Sequence, residues 1–74
     1  MSQFAEKIIK VRKERNLTQK QLAKMLDIRQ STLSTWETGK VIPLIIDVVR
    51  LAEALDTSAE ELTLLIVKDI SSNA

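Results

Sequence analysis

Seventy-four residues with eleven basic and ten acidic side chains, and neither cysteine nor histidine, limit what this chain can be. A chain this short makes one domain, has no disulfides to hold it, and lacks the thiolate and imidazole ligands of ordinary transition-metal sites. One core of this size supplies only ~3 to 5 kcal/mol, so association with a second copy is the expected extra source of stability.

A first helix is expected over about Gln3 to Arg15, where Phe4, Ile8 and Val11 share one stripe. Arg12 directly follows Val11 and falls at the edge of that buried face. Asn16 suits a left-handed helix end, and Leu17 turns into the core. Thr18 and Gln21 then read as a capping box, each side chain satisfying the other's backbone amide. They open the segment TQKQLAKML, whose Leu22, Ala23 and Leu26 recur at helical spacing. Gln19, in its first turn, points outward beside free amides, where a phosphate is favoured.

Only Asp27 and Ile28 separate this segment from a second one, RQSTLSTWET, so the two helices must cross steeply. In the second segment Leu33 and Trp36 face inward, and the spacing of Trp36 makes it a core residue rather than a stacking platform. Gln30, Ser31, Ser34 and Thr35 face outward. That row of short hydrogen-bonding side chains without a carboxylate is what base edges in a major groove can use, and Gln30 can pair in two places with adenine N6 and N7. Thr38 and Gly39 end the helix, and Lys40 just beyond it is placed for a phosphate.

Val41 to Pro43 read as a connection, with Pro43 at the start of a fourth helix. Ile45, Val48, Leu51, Ala52 and Leu55 give that helix its buried stripe, yet Leu44, Ile46 and Val49 are apolar as well. Ser58 and Glu61 read as a second capping box, opening a last helix from about Ala59 to Ile70. There Leu62, Leu64, Leu65, Ile66, Val67 and Ile70 run nearly all round, a pattern that is normally buried. The domain is expected over residues 1–70, with 71–74 a frayed tail.

The net charge of +1 hides an asymmetry along the chain. Residues 1–40 carry nine basic and four acidic side chains, and residues 41–74 carry two and six, giving +5 and −4. The first part suits a polyanion and the second would be repelled by one. The longest uninterrupted apolar run, Leu64 to Val67, is far short of the ~20 residues of a membrane helix. MSQFAEKIIK lacks the apolar core of a signal peptide, so the chain is expected to be soluble and cytoplasmic.

Leu17-Thr18-Gln19, Gln21-Leu22-Ala23, Gln30-Ser31-Thr32-Leu33-Ser34, Trp36-Glu37-Thr38-Gly39-Lys40, then Pro43 and Leu51-Ala52-Glu53-Ala54-Leu55 carry a further reading. In order, spacing and residue type, over roughly residues 8 to 66, they resemble the Cro/Xre-type helix-turn-helix domain of the lambda-repressor-like family. The resemblance implies an all-α, compact five-helix domain with the helix-turn-helix at its second and third helices. It implies a bacterial or phage-encoded protein acting at the nucleoid.

It also implies an architectural ion pair between Arg12 and Glu37, joining the first helix to the end of the third, and a brace from Gln19 to Gln30 that leaves Gln19 on the DNA backbone. Five positions depart from the family pattern. Asp27 and Asp56 stand where turn glycines are usual, a substitution that aspartate's tolerance of left-handed geometry permits. Arg29 stands where a Ser or Thr caps the recognition helix, at a loss of ~1 kcal/mol. Leu44 and Ile46 are apolar where relatives are often polar.

Three function classes compete. An enzyme is disfavoured, with no histidine, no cysteine, no glycine-rich phosphate loop and no evident carboxylate pair. A protein-interaction or antitoxin-type dimerisation module draws support from the surplus apolar surface of the last two helices. A sequence-specific regulator of transcription, acting as a repressor, accounts for the polar face, the basic first half and the motif together. On that reading Gln30, Ser31, Ser34 and Thr35 contact bases, and Thr18, Gln19, Arg29 and Lys40 contact phosphates. Leu44, Ile46, Leu64 and Val67 join two copies on a palindromic duplex, with recognition helices ~34 Å apart. No cofactor, metal or small-molecule ligand is expected.

Overall fold

The computed structural model describes residues 2–72, which form five helices and no strand. They are α1 (Gln3–Glu14), α2 (Gln19–Met25), α3 (Gln30–Glu37), α4 (Ile45–Leu55) and α5 (Ala59–Ser72). The all-α, five-helix expectation holds. Helix α5 packs against both α1 and α4, while α3 packs against α2 and α1.

Local chemistry explains most of the boundaries. Thr18 Oγ1 accepts from the Gln21 amide at 3.0 Å, and Gln21 Oε1 accepts from the Thr18 amide at 2.8 Å, closing the capping box of α2. Asn16, Asp27 and Asp56 all have left-handed backbone, with φ of 58, 54 and 51°. Each reverses the chain after a helix in the left-handed conformation that Asn and Asp tolerate better than most residues. Gly39 has φ +75°, and a Cβ there would lie 3.1 Å from Ser2 Cβ, so both its conformation and its neighbour call for glycine.

The core is one cluster around Ile8, Leu22, Leu33, Val48, Leu51, Leu55 and Leu62, each essentially inaccessible to solvent. All five helices contribute to it. Burying one such aliphatic side chain is worth ~1.5 to 3 kcal/mol, which lets helices of seven and eight residues persist although neither would be stable alone.

Four expectations about the second half need correction. Helix α4 starts at Ile45, not at Pro43; Leu44 is its N-cap and makes no capping hydrogen bond. Ile45 is 67% exposed rather than part of the buried stripe, because α4 begins where no neighbouring element covers it. The second capping box is half made. Ser58 Oγ accepts from the Glu61 amide at 3.1 Å, but the Glu61 carboxylate turns to Lys7 Nζ at 3.0 Å, tying α5 to α1. Of the apolar residues of α5 only Leu62 is buried, and the exposure of Leu64, Val67 and Ile70, each more than half, leaves open the expected use of Leu64 and Val67 between copies. Helix α5 also runs through Ser71 and Ser72, and Asn73 and Ala74 lie outside the described residues.

A clamp joins the two ends of the fold. Asp69 of α5 accepts from the Gln3 amide at 2.7 Å, the Phe4 amide at 3.1 Å and the Ser2 hydroxyl at 2.8 Å. Ser2 is itself the N-cap of α1, accepting from the Ala5 amide at 3.0 Å. Burial by itself would raise the Asp69 carboxyl, but the Phe4 and Gln3 amides and the Ser2 hydroxyl outweigh it and hold the group below its ordinary value.

Candidate nucleic-acid interface

Helix α3 is anchored from below and open above. Leu33 is fully buried and Trp36 is 4% exposed, so the helix cannot roll without emptying the core. On the opposite side Gln30 and Ser31 are exposed, and Ser34 and Thr35 are half-buried. These four side chains lie along one helix face with no carboxylate among them. Thr35 Oγ1 donates to the Thr32 carbonyl at 2.6 Å, so its hydrogen is engaged within the helix and its two lone pairs and methyl group are what it can offer outward.

Behind this face stands a hydrogen-bonded chain. Arg12 grips Glu37 with two bonds, Nε to Oε2 at 2.7 Å and Nη2 to Oε1 at 3.0 Å. Arg12 Nη1 also donates to the Leu17 carbonyl at 2.9 Å, so the guanidinium secures the turn that leads into α2. Glu37 is 7% exposed, a buried carboxylate matched by a bidentate fork. Gln19 Nε2 donates to the same Oε1 at 3.2 Å, and Gln19 Oε1 accepts from Gln30 Nε2 at 3.2 Å. The structure thus unites the Arg12–Glu37 pair and the Gln19–Gln30 brace in one network running from the interior to the first residue of α3. Among the described residues no buried side-chain polar atom lacks a partner.

The join between the two pairs was not legible in the sequence as a motif. The signal lay in the spacing, since Gln30 and Glu37 sit seven residues, or two turns, apart and therefore on one side of α3. The Asp69 clamp had no local signal, because its partners are more than sixty residues away along the chain.

The basic side chains divide by task. Lys7, Arg12 and Arg15 are in ion pairs, with Glu61, Glu37 and Asp56 respectively. Arg50 donates to the Leu26 carbonyl at the end of α2. Lys10, Lys13, Lys20, Lys24, Arg29, Lys40 and Lys68 are exposed and in no ion pair among the described residues. Arg29 occupies the N-cap of α3 with no side-chain capping bond, and Thr18 spends one lone pair on its own helix while keeping a hydroxyl hydrogen to donate. Leu44, Ile46, Leu64 and Val67 lie away from the core at 71, 58, 53 and 51% exposure.

A polar-faced helix set on a second short helix across a four-residue break defines a helix-turn-helix domain. The chain belongs to the family described as Helix-turn-helix, whose model matches residues 2–62. It is similar to the HTH-type transcriptional activator BcrR of Enterococcus faecalis, with 44% identity over 41 residues, or 55% of this chain and 20% of that protein. The match thus covers only a small part of that relative's length. No solved structure matches the chain. No described helix is long and apolar enough to cross a membrane.

Proposed function

We propose that the chain is a sequence-specific double-stranded DNA-binding regulator of transcription that acts in the cytoplasm and reads the major groove with α3. The observation that carries this reading is the outward row Gln30, Ser31, Ser34 and Thr35 on a helix locked by Leu33 and Trp36. Bases supply acceptors and donors to such side chains, and a carboxylate on that row would be repelled by phosphates. Arg29 and Lys40, with Thr18 and Gln19, are the phosphate contacts on this reading, and they give affinity that falls with salt. Membership of the helix-turn-helix family supports it, as does similarity to a relative named a transcriptional activator.

On this reading regulation is repression by occupancy, in which the bound domain excludes other proteins from the site. Two copies act together through Leu44, Ile46, Leu64 and Val67, whose exposure leaves more apolar surface than one small domain covers. Twofold symmetry would then set two α3 helices ~34 Å apart on a palindromic operator. The same exposed residues favour the second reading, a protein-interaction module of the antitoxin type that uses the fold to dimerise.

Selection of binding sites from random duplex DNA separates these readings. A regulator enriches a shared, inverted-repeat sequence; a module for another polypeptide enriches none.

A further inference from the structure

We propose that Glu37, a residue that touches no base, determines the strand on which Gln30 reads adenine. The inference rests on the DNA-reading function above and adds to it a residue that sets specificity from the interior. A carboxylate gripped by a guanidinium can only accept hydrogen bonds. Gln19 must therefore turn its amide nitrogen toward Glu37 Oε1, as it does at 3.2 Å. Its carbonyl oxygen, also only an acceptor, is then the atom left facing α3. Gln30 must meet that oxygen with its own amide nitrogen, again at 3.2 Å. Turning either amide over would set two acceptors or two donors against each other. Polarity thus passes outward from the ion pair through two neutral side chains to the exposed tip of the relay.

The consequence lies in what Gln30 has left. One amide hydrogen is held by Gln19, which leaves Gln30 its second hydrogen and Oε1 to offer, a donor and an acceptor in fixed order. Adenine offers N7 as acceptor and N6 as donor in the major groove, and inverting the base pair reverses their order across it. A glutamine free to turn over meets adenine on either strand. Held by this relay, it meets adenine on one. Glu37 and Gln19 are positioning residues: the discrimination they confer is between A·T and T·A at a single place in the site.

The test uses a duplex selected by the wild-type protein and a second duplex with one A·T pair inverted, at the position where Gln30→Ala flattens base preference. Affinities for both are measured by fluorescence anisotropy for wild type, Gln19→Met and Glu37→Gln, with folding followed by circular dichroism. Wild type should favour the selected pair by about tenfold, within the range a bidentate contact provides. In Gln19→Met, which leaves the Arg12–Glu37 pair intact, the ratio should fall to within about threefold at this position and hold elsewhere in the site, because the relay that sets the preference is broken. If Gln19 serves only to bind a phosphate, its removal lowers both affinities equally and leaves the ratio unmoved, so a purely electrostatic role is distinguished. Glu37→Gln, if folded, should behave alike; if it does not fold, the double substitution Arg12→Met with Glu37→Leu, which strands no charge, should lower the ratio in the same way, and an unchanged ratio there overturns the part assigned to Glu37. An unchanged ratio in Gln19→Met overturns the inference alone, as does the absence of any pair at which Gln30→Ala flattens preference. Failure of the wild type to prefer any sequence overturns the regulator reading as well.

Discussion

The Gln19 amide donates to the Glu37 carboxylate at 3.2 Å, linking the first residue of α2 to the last residue of α3. The two helices are thereby joined at the end of α3 remote from their turn. With Arg12 on the other side of Glu37, three helices meet at one carboxylate.

Removing one member of that pair leaves the other charge buried and unmatched. Glu37→Ala should cost ~3 to 5 kcal/mol of stability. The double substitution Arg12→Met with Glu37→Leu should cost much less than Glu37→Ala, because no charge is stranded. Urea unfolding monitored by circular dichroism measures both, and equal losses would show that the stranded charge is not what destabilises Glu37→Ala.

Asp69 gives acid sensitivity of defined sign. Its folded-state pKa lies below the ordinary value of a carboxyl. The folded state therefore gains stability above the unfolded pKa of ~3.9 and loses that gain as pH falls through the lower folded value. Asp69→Asn should lower stability at pH 7 by about 1 kcal/mol, chiefly through the charge lost beside the N-terminus of α1. It should also flatten the decline below about pH 4. Melting temperatures of both proteins across the acid range test this; identical slopes would exclude the clamp as their cause.

Arg29 holds a cap position without capping. Arg29→Ser should stabilise the domain by ~1 kcal/mol by supplying the missing acceptor. If Arg29 also contacts a phosphate, the same change reduces the slope of log affinity against log salt by ~0.9. Thermal melts and salt titrations read the two effects separately, and an unchanged salt slope removes Arg29 from the phosphate contacts.

Leu64 and Val67 are more than half exposed, so Leu64→Lys with Val67→Lys should leave the fold intact. Sedimentation equilibrium at micromolar concentration should find the wild type dimeric and the variant monomeric. A monomeric wild type would remove the twofold assembly.

The first half of the fold was readable because its instructions are local. Thr18 and Gln21 cap each other three residues apart, Asn16 and Asp27 accept left-handed backbone by their own chemistry, and Leu33 and Trp36 differ by one helical turn. The second half was harder because its apolar residues outnumber the places its core provides. Periodicity grouped Ile45 with Val48 and Leu51 but could not show that the helix begins where nothing lies over it. Glu61 fitted a capping box equally well by spacing, yet Lys7 across the helix interface draws its carboxylate away. Asp69 looked like one more surface acid of the negative second half, and only the packing of α5 on α1 brings it to the first residues of the chain.

The central claim is that the exposed face of α3 meets base edges. Its most direct test is a nuclear magnetic resonance titration with a duplex enriched from the random pool, following side-chain amide signals and backbone amides together. The claim predicts that the Gln30 side-chain amide shifts strongly and exchanges slowly with solvent once the duplex is bound, with Ser31, Ser34 and Thr35 perturbed beside it. Perturbations confined to α4 and α5, with Gln30 unmoved, would contradict it.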